Sequence, residues 1–447
     1  MSRPEDRVAS AGPAHPAPPR TSGSGRPGES RRLLTGNLFA RVIALISLAV
    51  STLVVARVGG PSGVGVFALL RVLPSLVGVL LSAGLPTGIV YFLAGSRRRD
   101  PRLVPTIIAI ALAAGIAGSI AWVAGASVLA RAFFRGVSVR LIALSGLTVL
   151  TQLFVATAKG ASQGTGDLPG ANRIIILEEL MFLPAYVIAI GASLKGEMAV
   201  ILALVLADVF TIVVGWWRLV RGHFFRHVGR PSVEVAREVT GYGLRGQVGA
   251  VLSLLNLRLD FLLLAALAGD VTLGVYAVAS KFAELLRLPP LALTYVLYPR
   301  FSREERRARV RGARTLIPRA GLFVAAAAVP LAIGARFLLP VIYGDAFRSA
   351  IVPTFILLVG LAGEGVAGVI TAFLYGEARP GMNSLAMGAG VLVTVCLDLL
   401  LIPRFHAVGA AWASSAAYLT STAMLYAIFR RLTRREDDDD EPLRVAR

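Results

Sequence analysis

Five ionisable side chains, Arg258, Asp260, Lys281, Glu284 and Arg287, interrupt an otherwise apolar run from Leu257 to Pro299 that is hinged at Gly269-Asp270. Charges at that density inside membrane-length segments are costly, so they face a polar cavity and mark a transport path. Lys281, Glu284 and Arg287 recur at i, i+3 and i+6 and share one helix face, whereas Arg258 and Asp260 point in different directions. Guanidinium groups bind phosphate oxygens in bidentate fashion and stay charged in a low-dielectric cavity, so this set suits a phosphate-bearing cargo. The competing reading is that Lys281, Glu284 and Arg287 pair with each other and Asp260 with a neighbouring cation, so that the charges only fix packing.

Other cations extend the pattern. Counting 1.5 Å per helical residue from Gly269-Asp270, Arg258 and Lys281 both lie roughly 15 Å deep, near the middle of a core about 30 Å thick. Arg71 lies about 10 to 12 Å in, while Arg41 and Arg287 lie roughly 24 Å in, on the same count. If their helices line one cavity, these five candidate cargo-binding cations form a ladder across the membrane. Arg57, just before Gly59-Gly60, reads as a structural anchor. A carboxylate at depth can bind H⁺ or Na⁺, or simply neutralise an arginine, which makes Asp208, Asp260, Glu284, Glu364 and Asp398 the ion-coupling candidates. Glu178 and Glu179, with Arg173 a turn and a half before them, read as packing charges. No metal constellation or P-loop is present, His15, His223, His227 and His406 read as solvated or interfacial, and the lone Cys396 allows no intrachain disulfide, so neither cofactor nor metal is expected.

The elements that must hold these residues are membrane helices. A chain of 447 residues that is 55% hydrophobic and 16% charged, with mean hydropathy +0.71, is an all-α polytopic membrane protein. Apolar blocks fall near 35–57, 64–94, 103–130, 138–159, 170–192, 198–219, 240–268, 271–298, 315–335, 349–374, 381–402 and 409–430. That makes about twelve crossings, since each block is long enough for a core needing roughly 20 helical residues. The formal charge of +20 would suggest nucleic acid in a soluble chain. Here the arginines sit in short connections between apolar blocks, where they set orientation, so no nucleic-acid partner is expected. Their excess before the first block, in the second, sixth and eighth connections and after the last block puts both termini in the cytoplasm.

Gly65-Val66-Phe67-Ala68, preceded by Gly60-Pro61 and followed by Arg71, echoes Gly274-Val275-Tyr276-Ala277, preceded by Gly269-Asp270 and followed by Lys281. Two copies of a turn-plus-helix unit suggest a duplicated transporter. The expected organisation is a disordered cytoplasmic tail over 1–32, a first lobe of six helices over 33–220 and a cytoplasmic linker over 221–238. A second lobe of six follows over 239–432, then a disordered charged tail over 433–447. Glycines at 241, 243, 246 and 249, at 360, 363, 365 and 368, and Pro289-Pro290 mark where helices pack closely or bend. The short outward connections leave no room for an external catalytic domain, so an enzyme is not expected.

The segments VARVGGPSGVGVFALLRVLPSLVGVLLSAGLPTGIVYFLA, LRLDFLLLAALAGDVTLGVYAVASKFAELL, VIYGDAFRSAIVPTFILLVG and LLLIPRFHAVGAAWASSAAYL resemble the polysaccharide-flippase branch of the MOP superfamily, exporters of lipid-linked oligosaccharides. The resemblance covers about 35–430 and implies two six-helix lobes, a MATE-like architecture, around a cationic cavity that works by alternating access. It implies a cargo of undecaprenyl pyrophosphate carrying a sugar unit, moved from the cytoplasmic to the outer leaflet of a bacterial or archaeal-type cell membrane for surface polysaccharide biosynthesis. Membrane lipids and polysaccharide-assembly proteins are the partners such a role implies. Arg57 and Arg258 match basic positions of that family, while Arg71 and Lys281 rest on depth alone. The lipid II flippases of the superfamily often carry two further helices that this chain lacks, which favours a surface polysaccharide unit. Two alternatives stand beside it: a MATE-type exporter of organic cations, which the cation excess would repel, and a non-transporting membrane scaffold.

Overall fold

A computed structural model describes residues 27–95, 100–222, 224–225, 228–377 and 379–445. The sequence expectations for residues 1–26, including His15, and for Arg97, Arg98, Arg99, His223, Arg226 and His227 lie outside the described residues. Every described element is helical. The first half holds α1 (Pro27–Leu81), α2 (Leu85–Ala94), α3 (Leu103–Ala132), α4 (Val139–Ser145), α5 (Leu147–Gly164), α6 (Leu168–Leu180), α7 (Phe182–Gly191) and α8 (Gly196–Arg221). The second holds α9 (Val233–Ala283), a 3-10 turn over Glu284–Arg287, α10 (Leu288–Arg303) and α11 (Arg306–Tyr343). A second 3-10 turn, Asp345–Ala350, leads to α12 (Ile351–Leu361), α13 (Glu364–Gly376) and α14 (Pro380–Val445).

Nine helical stretches among the described residues are long and apolar enough to cross a bilayer. Three of these, Phe39–Leu81, Arg258–Arg303 and Gly381–Arg434, run for 43, 46 and 54 residues, about twice the roughly 20 that one crossing needs. Each contains a residue whose backbone leaves the helix: Gly60 at φ 60°, Gly269 at φ 84° and His406 at φ 50°. Each break therefore separates two crossings, the one before Gly269 extending upstream of Arg258 into the part of α9 that begins at Val233, and the count among the described residues is twelve. At Gly60 and Gly269 the positive φ is open to glycine without a side-chain clash, and Pro61 is suited to the first turn of the helix that follows.

Several crossings are jointed. The block expected near 170–192 is divided between α6 and α7 at Met181, and that near 349–374 between α12 and α13 at Ala362-Gly363. The 3-10 turn Glu284–Arg287 sits just before Pro289-Pro290, which open α10 because a proline there lacks only an N–H with no helical acceptor. α1 begins at Pro27, inside the segment expected to be a tail, and α14 continues to Val445 through the other.

Within each half the helices bury small and aromatic side chains against one another, Phe67 meeting Phe182 with ring centroids 4.5 Å apart. α1 packs on α6 and α5 on α8 in the first half; α9 and α12 pack on α14, and α10 and α11 on α13, in the second. The halves meet mainly along α1 and α9. Leu322, Phe323, Val341 and Leu392 are each more than 60% exposed, as the lipid-facing surface of a membrane bundle requires, since hydrocarbon takes the place of a core there.

Outside the crossings, Asp167 caps α6 by accepting the Gly170 N–H at 3.0 Å. It also accepts both Nε and Nη2 of Arg218, at 2.7 and 2.9 Å, fastening α6 to the end of α8. The Arg218 hydrogen bonds hold the Asp167 carboxyl below the usual carboxylate range.

Candidate functional site

The two-part helices set the site. The break at Gly60 returns the chain so that the second arm of α1 carries Phe67 and Arg71, and the break at Gly269 does the same for Lys281 on α9. Between the halves these arms, the first arm of α9 and the face of α6 bearing Glu178 and Glu179 enclose a void of about 250 Å³. Arg71, Arg258 and Lys281 line it together with the two glutamates.

Every one of these cations has a carboxylate. Arg71 reaches Glu179 at 2.5 Å, and Lys159 on α5 holds Glu178 at 2.8 Å. Glu284 is shared, with Oε1 3.0 Å from Arg258 Nη1 and Oε2 2.9 Å from Lys281 Nζ. Their side chains are 14 to 18% exposed, so the attraction acts in a medium far less screening than water. Arg71 also lies over the Phe67 ring at 5.6 Å and Arg258 over Phe261 at 5.1 Å, which suits guanidinium planes held in place beside a cavity. Arg287 lies farther along, paired with Glu364 at 3.2 Å and set over Tyr418 at 5.8 Å.

Of the cations expected to form a ladder from depth, all but Arg41 are in closed pairs. Arg258 and Lys281, expected at one depth, do meet, on a single carboxylate. Arg41 stands apart, exposed, with its Nε on Asn37 Oδ1 at 3.0 Å and lining neither this void nor the larger cavity beyond Glu284. Arg57 donates Nε to the Ile342 carbonyl at 2.7 Å and Nη2 to the Val341 carbonyl, tying α1 to the end of α11.

The acidic candidates separate by surroundings. Asp208, buried on α8, accepts the Thr151 hydroxyl at 2.5 Å. Asp260 turns away from the void. Its Oδ2 accepts from Tyr276 at 2.5 Å and Ser414 at 3.1 Å, and its Oδ1 from the Phe261 N–H at 2.8 Å. Asp260 therefore meets hydroxyls rather than a neighbouring cation, unlike the packing alternative. Asp398 on α14 is fully buried with neither carboxylate oxygen hydrogen-bonded. Among the described residues no group of three or more His, Cys, Asp or Glu is arranged to hold a metal.

Sequence reasoning missed Lys159 and assigned Glu178 and Glu179 the wrong neighbour. Their partners are Lys159 and Arg71, not Arg173. A lone lysine in the apolar run Leu147–Gly164 was the available signal. Glu364, with no cation within a turn of its own helix, is paired by Arg287 from another.

A close backbone contact lies at one end of the void. A Cβ on Gly65 would overlap the backbone of Asp270, and one on Gly274 the backbone of Pro61. The Ser62 hydroxyl donates to the Asp270 carboxylate at the same place. Away from this end, Gln247 on α9 donates to the carbonyls of Val79 and Leu80 at 2.7 and 3.1 Å, joining the halves on one flank.

Comparison with known proteins adds three findings. A family model described as "Polysaccharide biosynthesis protein" matches residues 54–352. Among curated proteins none matches this sequence. Among solved structures, an inward-facing multidrug resistance MATE family transporter of the MOP superfamily aligns with a TM-score of 0.72 and 17% identity, over 88% of this chain and 96% of that one. The lipid II flippase MurJ, in an inward closed conformation, aligns with a TM-score of 0.72 and 12% identity, over 88% and 86%. An outward-facing MATE transporter gives 0.63 and 18%, over 93% and 98%. At these identities the likeness is one of fold alone: an all-α helical bundle like that of these transporters.

Proposed function

The chain belongs to the polysaccharide biosynthesis protein family, whose model spans residues 54–352, and on that premise we propose that it flips undecaprenyl-pyrophosphate-linked oligosaccharide across the cell membrane. The observation that carries this reading is the Glu284 carboxylate, gripped by Arg258 and Lys281 at the edge of a void between the halves. Two oxygens held by an arginine and a lysine are what a phosphate would present, so Glu284 acts as an internal stand-in that an incoming pyrophosphate displaces. Arg71, released from Glu179, gives a third contact from the opposite half, and Arg287 lies on the same route. Arg41, remote from the void, would serve at most at the entrance.

In this reading 33–220 and 239–432 are the two lobes, joined by a cytoplasmic linker at 221–238. The arginine distribution keeps both termini in the cytoplasm of a bacterial or archaeal-type cell. The turns at Gly60 and Gly269 then lie at the outer face, where the Gly65 and Gly274 contacts are closed, and the cargo is loaded from the cytoplasmic side. Rocking of the lobes moves it to the outer leaflet. The carboxylates supply coupling to H⁺ or Na⁺. Glu284 does so by exchanging partners with the cargo, Glu364 from its pair with Arg287, Asp398 and Asp260 from buried positions in the second lobe, and Asp208 from one in the first. Delivery to polysaccharide-assembly proteins at the outer leaflet completes the role.

The test is reconstitution. Purified protein in liposomes moves a fluorescent polyprenyl-pyrophosphoryl sugar between leaflets, and Arg258→Ala abolishes movement while the protein keeps its helical content and elution volume. Unchanged transport in that variant removes Arg258 from the site. Absence of any lipid transport by the wild type favours a scaffold. A second reading, export of organic cations, draws support from Glu178 and Glu179 on the cavity wall, and transport of a cationic dye in the same vesicles would establish it instead.

A further inference from the structure

A second cavity, of about 540 Å³, lies mainly in the second half on the other side of Glu284, with Leu45 of α1 in its wall. Glu284 lines this cavity, while its partners Arg258 and Lys281 line the smaller cationic void, so one carboxylate forms the partition between two compartments. The larger compartment runs from Glu364 and Tyr418 past Pro290 to Tyr375 and Asn383. We infer that it is the sugar subsite of the transporter, receiving the uncharged residues of the oligosaccharide nearest the pyrophosphate. This rests on the reading that the cargo's phosphates bind Arg258 and Lys281.

Three features fit a neutral polyhydroxyl ligand. The charges in its wall are closed: Arg287 is paired with Glu364 at 3.2 Å, and Glu284 is held from the other side. Nothing there selects an anion. Its polar groups, however, have spare capacity. Asn383 is 6% exposed and its Oδ1 accepts from Thr371 at 2.9 Å, but its Nδ2 meets only the Met387 thioether, at 3.7 Å. A thioether is a weak acceptor, so a buried amide donor is left to be satisfied by an oxygen from elsewhere. Among the described residues the hydroxyls of Tyr418 and Thr422, which also line the cavity, have no hydrogen-bond partner. Between these polar points Leu288, Pro290 and Leu425 offer apolar surface to the C–H faces of a pyranose. The volume falls in the ~300–1,000 Å³ range of small-molecule sites, room for a short saccharide rather than a phosphate alone.

The position follows the cargo's covalent order. A phosphate taking the place of the Glu284 carboxylate would have the cationic void on one side and this compartment on the other, so the first sugar on that phosphate enters it directly.

The test uses the full chain in liposomes and two probes: a short polyprenyl pyrophosphate bearing a labelled neutral disaccharide, and the sugar-free lipid. The wild type should move the sugar-bearing lipid faster. Asn383→Leu and, independently, Thr422→Val should slow it about tenfold while altering sugar-free transport less than twofold. Equal slowing of both probes by both variants, or no slowing of either, overturns the sugar subsite while leaving the phosphate reading in place. A wild type that moves the sugar-free lipid equally fast also overturns it. A wild type that moves neither probe overturns the phosphate reading itself, and this inference with it.

Discussion

Gly65 and Gly274 are each pressed against the turn that opens the other's helix: a side chain on Gly65 would enter the backbone of Asp270, and one on Gly274 the backbone of Pro61. The two contacts exchange under the same shift in sequence that relates Gly60 to Gly269, the two positive-φ breaks. Such reciprocity is what a two-fold relation between duplicated halves produces, and it makes one end of the central void a pair of backbone-to-backbone contacts. Backbones can come this close only where no Cβ intervenes.

Gly274→Val should therefore hold that end apart. With Cys396 replaced by Ala, a cysteine at Ser62 should react with a membrane-impermeant thiol reagent applied outside several-fold faster in Gly274→Val than in the parent, and lipid transport should fall at least tenfold. Equal labelling in the two proteins would show that this contact does not gate access.

Replacing Glu284 with Gln removes the counter-charge shared by Arg258 and Lys281 and leaves two cations buried together. Losing one partner of a buried pair costs roughly 3–5 kcal/mol. The variant should melt several degrees below wild type in detergent, and inorganic pyrophosphate should restore more of the loss than it adds to the wild type. Identical pyrophosphate shifts in both proteins would argue that Glu284 does not occupy a phosphate position.

Arg57→Ala leaves the carbonyls of Ile342 and Val341 without their guanidinium donor. These hydrogen bonds are exposed and such a bond contributes roughly 0.5–1.5 kcal/mol net, so the thermal midpoint should drop slightly while transport per folded molecule stays within about twofold. The midpoint, followed by intrinsic fluorescence, is the check.

Asp167 provides a pH test outside the lipid-spanning segments. Its folded pKa is depressed by Arg218, so the stability it contributes is fully present above its unfolded value and is lost as pH falls through the depressed folded value. The pair is partly exposed and contributes roughly 1 kcal/mol. The difference in thermal midpoint between wild type and Asp167→Asn should be constant near neutral pH and shrink towards zero in acid. A difference that grows on acidification would contradict this sign.

The covalent chain alone decided that this is a twelve-crossing helical membrane protein, because blocks of apolar residues near bilayer length have no other stable arrangement in lipid. It also decided where the paired breaks fall, since glycine is readily left-handed where other residues are strained, and which charges share a face: Lys281 and Glu284, three residues apart, do meet, while Arg258 and Asp260 go separate ways. Tertiary structure decided the partners. Arg71 takes Glu179, Glu178 takes Lys159 and Arg287 takes Glu364, the first and last across helices distant in sequence and the second between consecutive helices. A long cation at membrane depth can reach any carboxylate on a neighbouring helix, and only packing of the helices selects which carboxylate that is. The void beside those pairs, and the wall that Glu284 makes between it and the second cavity, exist only in the assembled bundle.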